Sequence, residues 1–88
     1  MDDKDLERVM KAFSNKRRIA IVRFIKKSRE AAVGEIAESI KLSFRATSKH
    51  LSVLFGANIL EKEQRGLYIF YKVAGDMPQA SQKILSLL

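Results

Sequence analysis

Arg45, Ser48, Lys49 and Ser52 recur at intervals of three and four residues, the spacing that stacks side chains on one face of an α-helix. Two cations and two hydroxyls with no carboxylate among them can grip an anion and donate hydrogen bonds. Counting about 100° per residue, they occupy an arc from roughly 60° to 160° away from Leu51. Phe44, Thr47, Leu54 and Phe55 fall within roughly 60° of Leu51 and form the expected buried face. Leu42-Ser43 reads as the helix start, with Ser43 as N-cap, and Gly56-Ala57-Asn58 as its stop, with Asn58 suited to a left-handed C′ position. A helix over 43–55 is about 18 Å long, and a B-DNA major groove is about 12 Å wide. An ordinary solvated face would look the same in isolation, so the rest of the chain decides.

Catalysis has little support. The chain has no Cys, its one His (His50) has no nucleophile beside it in sequence, and no Gly-rich phosphate loop occurs. Glu35 and Glu38, three apart on one helix, read as a solvated face. There are 17 Lys+Arg against 10 Asp+Glu in 88 residues, a net charge of +7, which in one small basic domain points to a polyanion, nucleic acid first. No segment is apolar enough to span a bilayer, and Met-Asp-Asp-Lys-Asp does not resemble a signal peptide. An intracellular, cytoplasmic protein is expected, with no membrane partner.

The elements that would position this face read as follows. Asp2 to Phe13 is a first helix, with Leu6, Val9, Met10 and Phe13 on one stripe. Asn15 caps a second helix, Lys16 to about Ser28, apolar nearly all round at its centre and therefore central to the core. Its ends carry Lys16, Arg17 and Arg18, then Arg23, Lys26, Lys27 and Arg29, most of which read as solvated. Ala31-Ala32-Val33 is a short extended piece ending at Gly34, which could cap a third helix from about Glu35 to Ile40. Lys41-Leu42 is the turn of a helix-turn-helix, and with no Gly in it a non-Gly residue is expected near φ > 0 at a modest cost. Ile59–Gln64, the turn Arg65-Gly66 and Leu67–Val73 make a β-hairpin, and Asp76–Leu88 a last helix with Pro78 in its first turn. Tyr68 and Phe70 alternate with Ile69 and Tyr71, so both hairpin faces are apolar. Core and interface uses are the common reading, an RNA-stacking surface the sharper one. The fold expected is mainly α with a small β-hairpin wing, a single winged helix-turn-helix domain over residues 1–88.

Four stretches in order resemble the ArsR/SmtB-like repressors. Phe13-Ser14-Asn15-Lys16-Arg17-Arg18-Ile19-Ala20-Ile21-Val22 is similar to that family's "L-[AS]-[DN]-x-x-R-x-x-I-L" start of the second helix. Glu35 to Ile40 is similar to "E-L-A-E-x-[LI]", Ser43 to Leu54 to "S-x-x-[AT]-[VT]-S-x-H-L-x-x-L", and Gly66 to Val73 to the wing "G-x-x-x-x-Y-x-[LV]". The resemblance implies a homodimer paired through its first and last helices, with a recognition helix entering each of two major grooves, and a repressor released by a chemical signal. The family's metal sensors carry Cys-Val-Cys where this chain has Ala32-Val33-Gly34, and others place His and acidic ligands on a last helix that here offers only Asp76. No metal site and no cofactor are therefore expected, and the inducer is unknown.

The expected function is sequence-specific binding of double-stranded DNA as a homodimeric repressor. The alternative is a winged-helix module for general DNA or chromatin binding, or for protein contacts in transcription. Arg45 suits bidentate contact to guanine, Lys49 a base or a phosphate, and Ser48 and Ser52 either. Phe44 stands at the groove-facing end within reach of a thymine methyl, although its helical phase favours the core. His50 reads as structural or as a phosphate donor, and Gln64 and Arg65 as the wing tip's contacts. Leu6, Val9, Met10 and Phe13 with Met77, Ala80, Ile84 and Leu88 are the expected dimer stripe.

Overall fold

Side-chain caps set three of the helix starts. In the computed structural model, which describes all 88 residues, the Asp2 carboxylate accepts the Asp5 N–H at 2.8 Å to open α1 (Asp3–Phe13). Asn15 Oδ1 accepts from the Arg17 and Arg18 N–H groups at 2.9 and 3.1 Å to open α2 (Lys16–Ser28). Ser43 Oγ accepts the Ala46 N–H at 3.1 Å to open α4 (Phe44–Gly56). Between them, α3 (Val33–Ile40) follows directly on a strand, β1 (Glu30–Ala32). Ala32 has no side chain to cap with, so Glu35 reaches back and accepts the Ala32 N–H at 2.9 Å. Gly34 consequently lies inside the first turn of α3 and is not its cap.

The turns hold where the chain lacks glycine. Lys41 takes φ 56° between α3 and α4, and the Leu42 N–H donates to the Ala37 carbonyl at 3.0 Å, a left-handed helix ending on a residue with a Cβ. Asn58 takes φ 60° after α4, with the Ile59 N–H on the Leu54 carbonyl at 3.0 Å. Its side-chain amide donates to the Asp76 carbonyl at 2.9 Å.

Strands β2 (Leu60–Arg65) and β3 (Tyr68–Val73) form the hairpin, with Arg65 opposite Tyr68 and Gly66 at φ 62°. The turn is Gly66-Leu67, one residue beyond the expected position. The short extended piece has become a third strand: Glu30, Ala31 and Ala32 pair antiparallel with Lys72, Tyr71 and Phe70, giving the order β1-β3-β2. Helix α5 spans Gln79–Ser86 and is shorter than expected at its start. Pro78 stands at its N-cap in an extended conformation, and Met77 is buried before the helix begins.

Helix α2 is central, packing on α1, α3, α4, β1 and β3, with Ile21, Val22 and Ile25 fully buried. Ile36, Leu51, Leu54, Ile59, Leu60 and Tyr71 close around it. The expected dimer stripe divides here. Val9 (1% exposed), Phe13 and Met77 are taken into the chain's own core and are not free to face a partner. Leu6 and Met10 are left outside at 39% and 57% exposed, and Ala80, Ile84 and Leu88 are half-buried against the core. Helix α1 packs on α2, α4 and α5, and these contacts cover the flank that carries Val9, Ala12 and Phe13.

Candidate nucleic-acid interface

Helix α4 is held on one side by Thr47, Leu51 and Leu54, all buried. On the opposite side Arg45, Lys49 and Ser52 are exposed, with Ser48 half-buried at the border. No Asp or Glu lies on α4, and neither Arg45 nor Lys49 enters an ion pair within the chain. Two full positive charges therefore stand unneutralised about one turn apart on a convex surface, where an approaching polyanion meets them directly.

Phe44 and Phe55 depart from the expected buried face. Phe44 is 63% exposed and rims an open apolar recess of about 290 Å³ with Val33, Leu67, Tyr68 and Ile69. Phe55 is also exposed, its ring covered by the Lys62 ammonium at 4.5 Å. Helix α4 packs on α3, α2, β2 and α1, and its burial centres on Thr47, Leu51 and Leu54 with His50 half-buried, which leaves both phenylalanines outside.

The wing tip does not hold a free cation. Arg65 donates from Nη1 and Nη2 to the Glu30 carboxylate at 2.8 Å each, and from Nε to Glu63 at 2.7 Å. Its guanidinium also stacks on Phe70 at 4.6 Å. Each nitrogen of the fork makes one such bond, so Arg65 fastens β2 to β1 across the intervening β3. The hydrogen bonds hold both carboxyls below the ordinary carboxylate value and push the guanidinium further up. Gln64 is exposed and donates to the Gly66 carbonyl at 3.3 Å, which braces the turn. Beyond it the tip is apolar, with Leu67 almost wholly exposed.

His50 is half-buried on the α1 side of α4, and Arg18 stands beside it. Arg18 Nη1 lies 3.3 Å from His50 Nδ1, while Nε donates to the Ala12 carbonyl at 2.7 Å and Nη2 to the Lys11 carbonyl at 3.0 Å. Burial pushes the imidazole below its usual value, and the charges of Arg18 and Arg17 push it further. Arg18 is therefore an exception among the helix-end cations, most of which read as solvated. One signal pointed to it: the single Arg of the second-helix pattern falls on this residue.

No group of three or more His, Cys, Asp or Glu side chains converges where a metal ion could be held. Ala32, Val33 and Gly34, at the start of α3, bring no donor atom from a side chain. No helix is long and apolar enough to cross a membrane.

The family model for bacterial regulatory proteins of the arsR family matches residues 15–62, from the N-cap of α2 through α4 into β2. The chain belongs to the arsR family. Solved structures agree with this arsR-family fold over nearly its whole length. NolR from Sinorhizobium fredii is 28% identical with a TM-score of 0.81, covering 96% of this chain and 80% of its own. The homodimeric winged helix-turn-helix DNA-binding domain of a possible ArsR-family regulator from Mycobacterium bovis is 25% identical with a TM-score of 0.83, covering 99% and 82%. The transcriptional repressor PagR of Bacillus anthracis is 25% identical with a TM-score of 0.79, covering 96% and 92%. No curated protein matches the chain in sequence. The architecture is a winged helix-turn-helix, and the family and the structures like it are transcriptional regulators, not enzymes.

Proposed function

We propose that this arsR-family regulator is a homodimeric repressor that binds double-stranded DNA by sequence, inserting α4 into the major groove of each half-site. The observation that carries the reading is the unneutralised face of α4: Arg45 and Lys49 exposed and unpaired, flanked by Ser48 and Ser52, with no carboxylate on the helix. Arg45, nearest the N-terminus of α4, is the base reader, and guanine O6/N7 is the edge its planar fork fits. Lys49, Ser48 and Ser52 hold the register through phosphate or base edges, and Phe44 is placed to touch a thymine methyl. Residues 1–88 act as one domain, α1 and α5 pairing across a two-fold axis through Leu6, Met10, Ile84 and Leu88. That pairing covers apolar side chains that a monomer leaves in water.

Sedimentation equilibrium and a salt titration of DNA binding test this together. The reading predicts a two-chain mass at micromolar concentration. It also predicts binding to the preferred duplex at least about 10³-fold tighter than to random duplex at physiological salt. A one-chain mass, or equal affinity for both duplexes, contradicts it. Equal affinity is what a general DNA-coating module would show.

A further inference from the structure

We propose that Arg18 is a positioning residue for DNA binding: it ties the end of α1 to the recognition helix through His50 and fixes that imidazole as the Nε2–H tautomer, leaving Nε2–H as a neutral donor for a backbone phosphate. The proposal rests on α4 being the DNA-reading helix, and it names one further contact and the residue that prepares it.

The argument is one of donors and acceptors. A guanidinium has five N–H donors and no acceptor. Arg18 places two of its nitrogens on carbonyls of the last turn of α1, Ala12 and Lys11, the latter also taking the Ser14 N–H that closes the helix. A cation there also suits the negative end of the helix dipole. The third nitrogen lies 3.3 Å from His50 Nδ1, and since Arg18 can only donate, Nδ1 must accept. A neutral imidazole with a lone pair on Nδ1 carries its proton on Nε2. Protonating Nδ1 would set N–H against N–H beside two arginines, Arg18 and Arg17, and no carboxylate is among the groups that act on the ring. The one histidine of the chain is thus held uncharged, with a single donor left to offer. His50 follows the exposed Lys49 in the chain but stands about 100° round α4 from it, half-buried on the α1 flank, so the phosphate its Nε2–H would meet is one beside the groove that α4 enters.

Because there is only one histidine, its ring nitrogens can be assigned by ¹⁵N NMR without ambiguity. In the free protein the expected spectrum shows Nε2 protonated, Nδ1 unprotonated and hydrogen-bonded, and a titration midpoint below the ordinary value of about 6.5. Arg18→Gln should raise that midpoint and remove the hydrogen-bonded Nδ1 signature. Arg18→Lys, one ammonium in place of a fork, should restore neither fully. On DNA, His50→Ala and Arg18→Gln should each weaken binding by about tenfold per half-site. The double variant should be no weaker than the weaker single one. His50→Gln, whose amide N–H stands near the Nε2 position, should stay within about threefold of the parent. His50→Ala should leave the salt slope unchanged, because a neutral donor releases no counterion. An Nδ1–H signal at neutral pH, additive losses, or a slope reduced by about one unit in His50→Ala would each overturn the proposal. If Arg18→Gln does not fold, Arg18→Lys and the His50 variants still decide. If the parent binds no DNA, the reading of α4 fails, and the tautomer and midpoint still test the Arg18–His50 link by themselves.

Discussion

Replacing Arg45 with Ala removes a side chain that is exposed and makes no ion pair within the chain, so folding should be unaffected to within about 0.5 kcal/mol. Any change in DNA binding then reports the interface alone. A bidentate arginine–guanine contact discriminates by about 1–3 kcal/mol per base. A two-fold dimer loses two of them, about 2–6 kcal/mol, or roughly 30-fold to 20,000-fold in affinity for the preferred duplex. Random duplex, bound through phosphates, should lose far less, and the salt slope on the preferred duplex should hardly move. Fluorescence anisotropy with both duplexes at several salt concentrations measures all three quantities, and a thermal melt checks the fold. Equal losses on both duplexes, with the slope reduced by about one unit per half-site, would show Arg45 on a phosphate and refute its assignment as the base reader.

Arg65→Ala should leave the salt slope of DNA binding unchanged, because the guanidinium is spent on Glu30 and Glu63, while amide exchange in Leu60–Val73 should quicken as the strands lose their clasp. A slope smaller by about one unit would mean that the clasp opens onto DNA. Thr47→Val should stabilise the protein by about 1–2 kcal/mol, raising the midpoint of a thermal melt by several degrees, because the buried hydroxyl has no hydrogen-bond partner and valine keeps its shape. A lower midpoint in that variant would mean that the hydroxyl is satisfied. Stability should fall as pH drops below about 6.5: the folded chain holds His50 below its ordinary value, so the unfolded chain takes up the proton first. Urea midpoints across pH 5–8 should therefore be flatter in His50→Gln than in the parent.

What the sequence showed in advance was what neighbouring residues decide among themselves. Asn15 and Ser43 cap helices whose starts they mark, and Asn58 and the Lys41 turn take the positive φ expected of them, because these outcomes need only a few adjacent residues. Helical phase likewise placed Thr47, Leu51 and Leu54 inside and Arg45 and Lys49 outside. The errors arose where distant segments meet. Phase alone set Phe44 toward the core, but which side of α4 is covered depends on where α1 and α2 dock. Arg65 was read as a free wing-tip cation because its main partner, Glu30, stands 35 residues away, on a strand recognisable only once it pairs with β3. Arg18 and His50 are 32 residues apart, and their contact exists only after three helices have packed. The dimer stripe failed in part for the same reason, since Val9 and Phe13 had a nearer core to fill.

Selecting bound sequences from a pool of random DNA duplexes tests the central claim most directly. A two-fold dimer reading DNA with α4 should recover an inverted repeat whose half-sites are centred about one helical turn, roughly 34–36 Å, or a multiple of it apart, with a G·C pair at the position that Arg45→Ala relaxes. A pool that emerges unenriched, or enriched in a single unrepeated site, would contradict it.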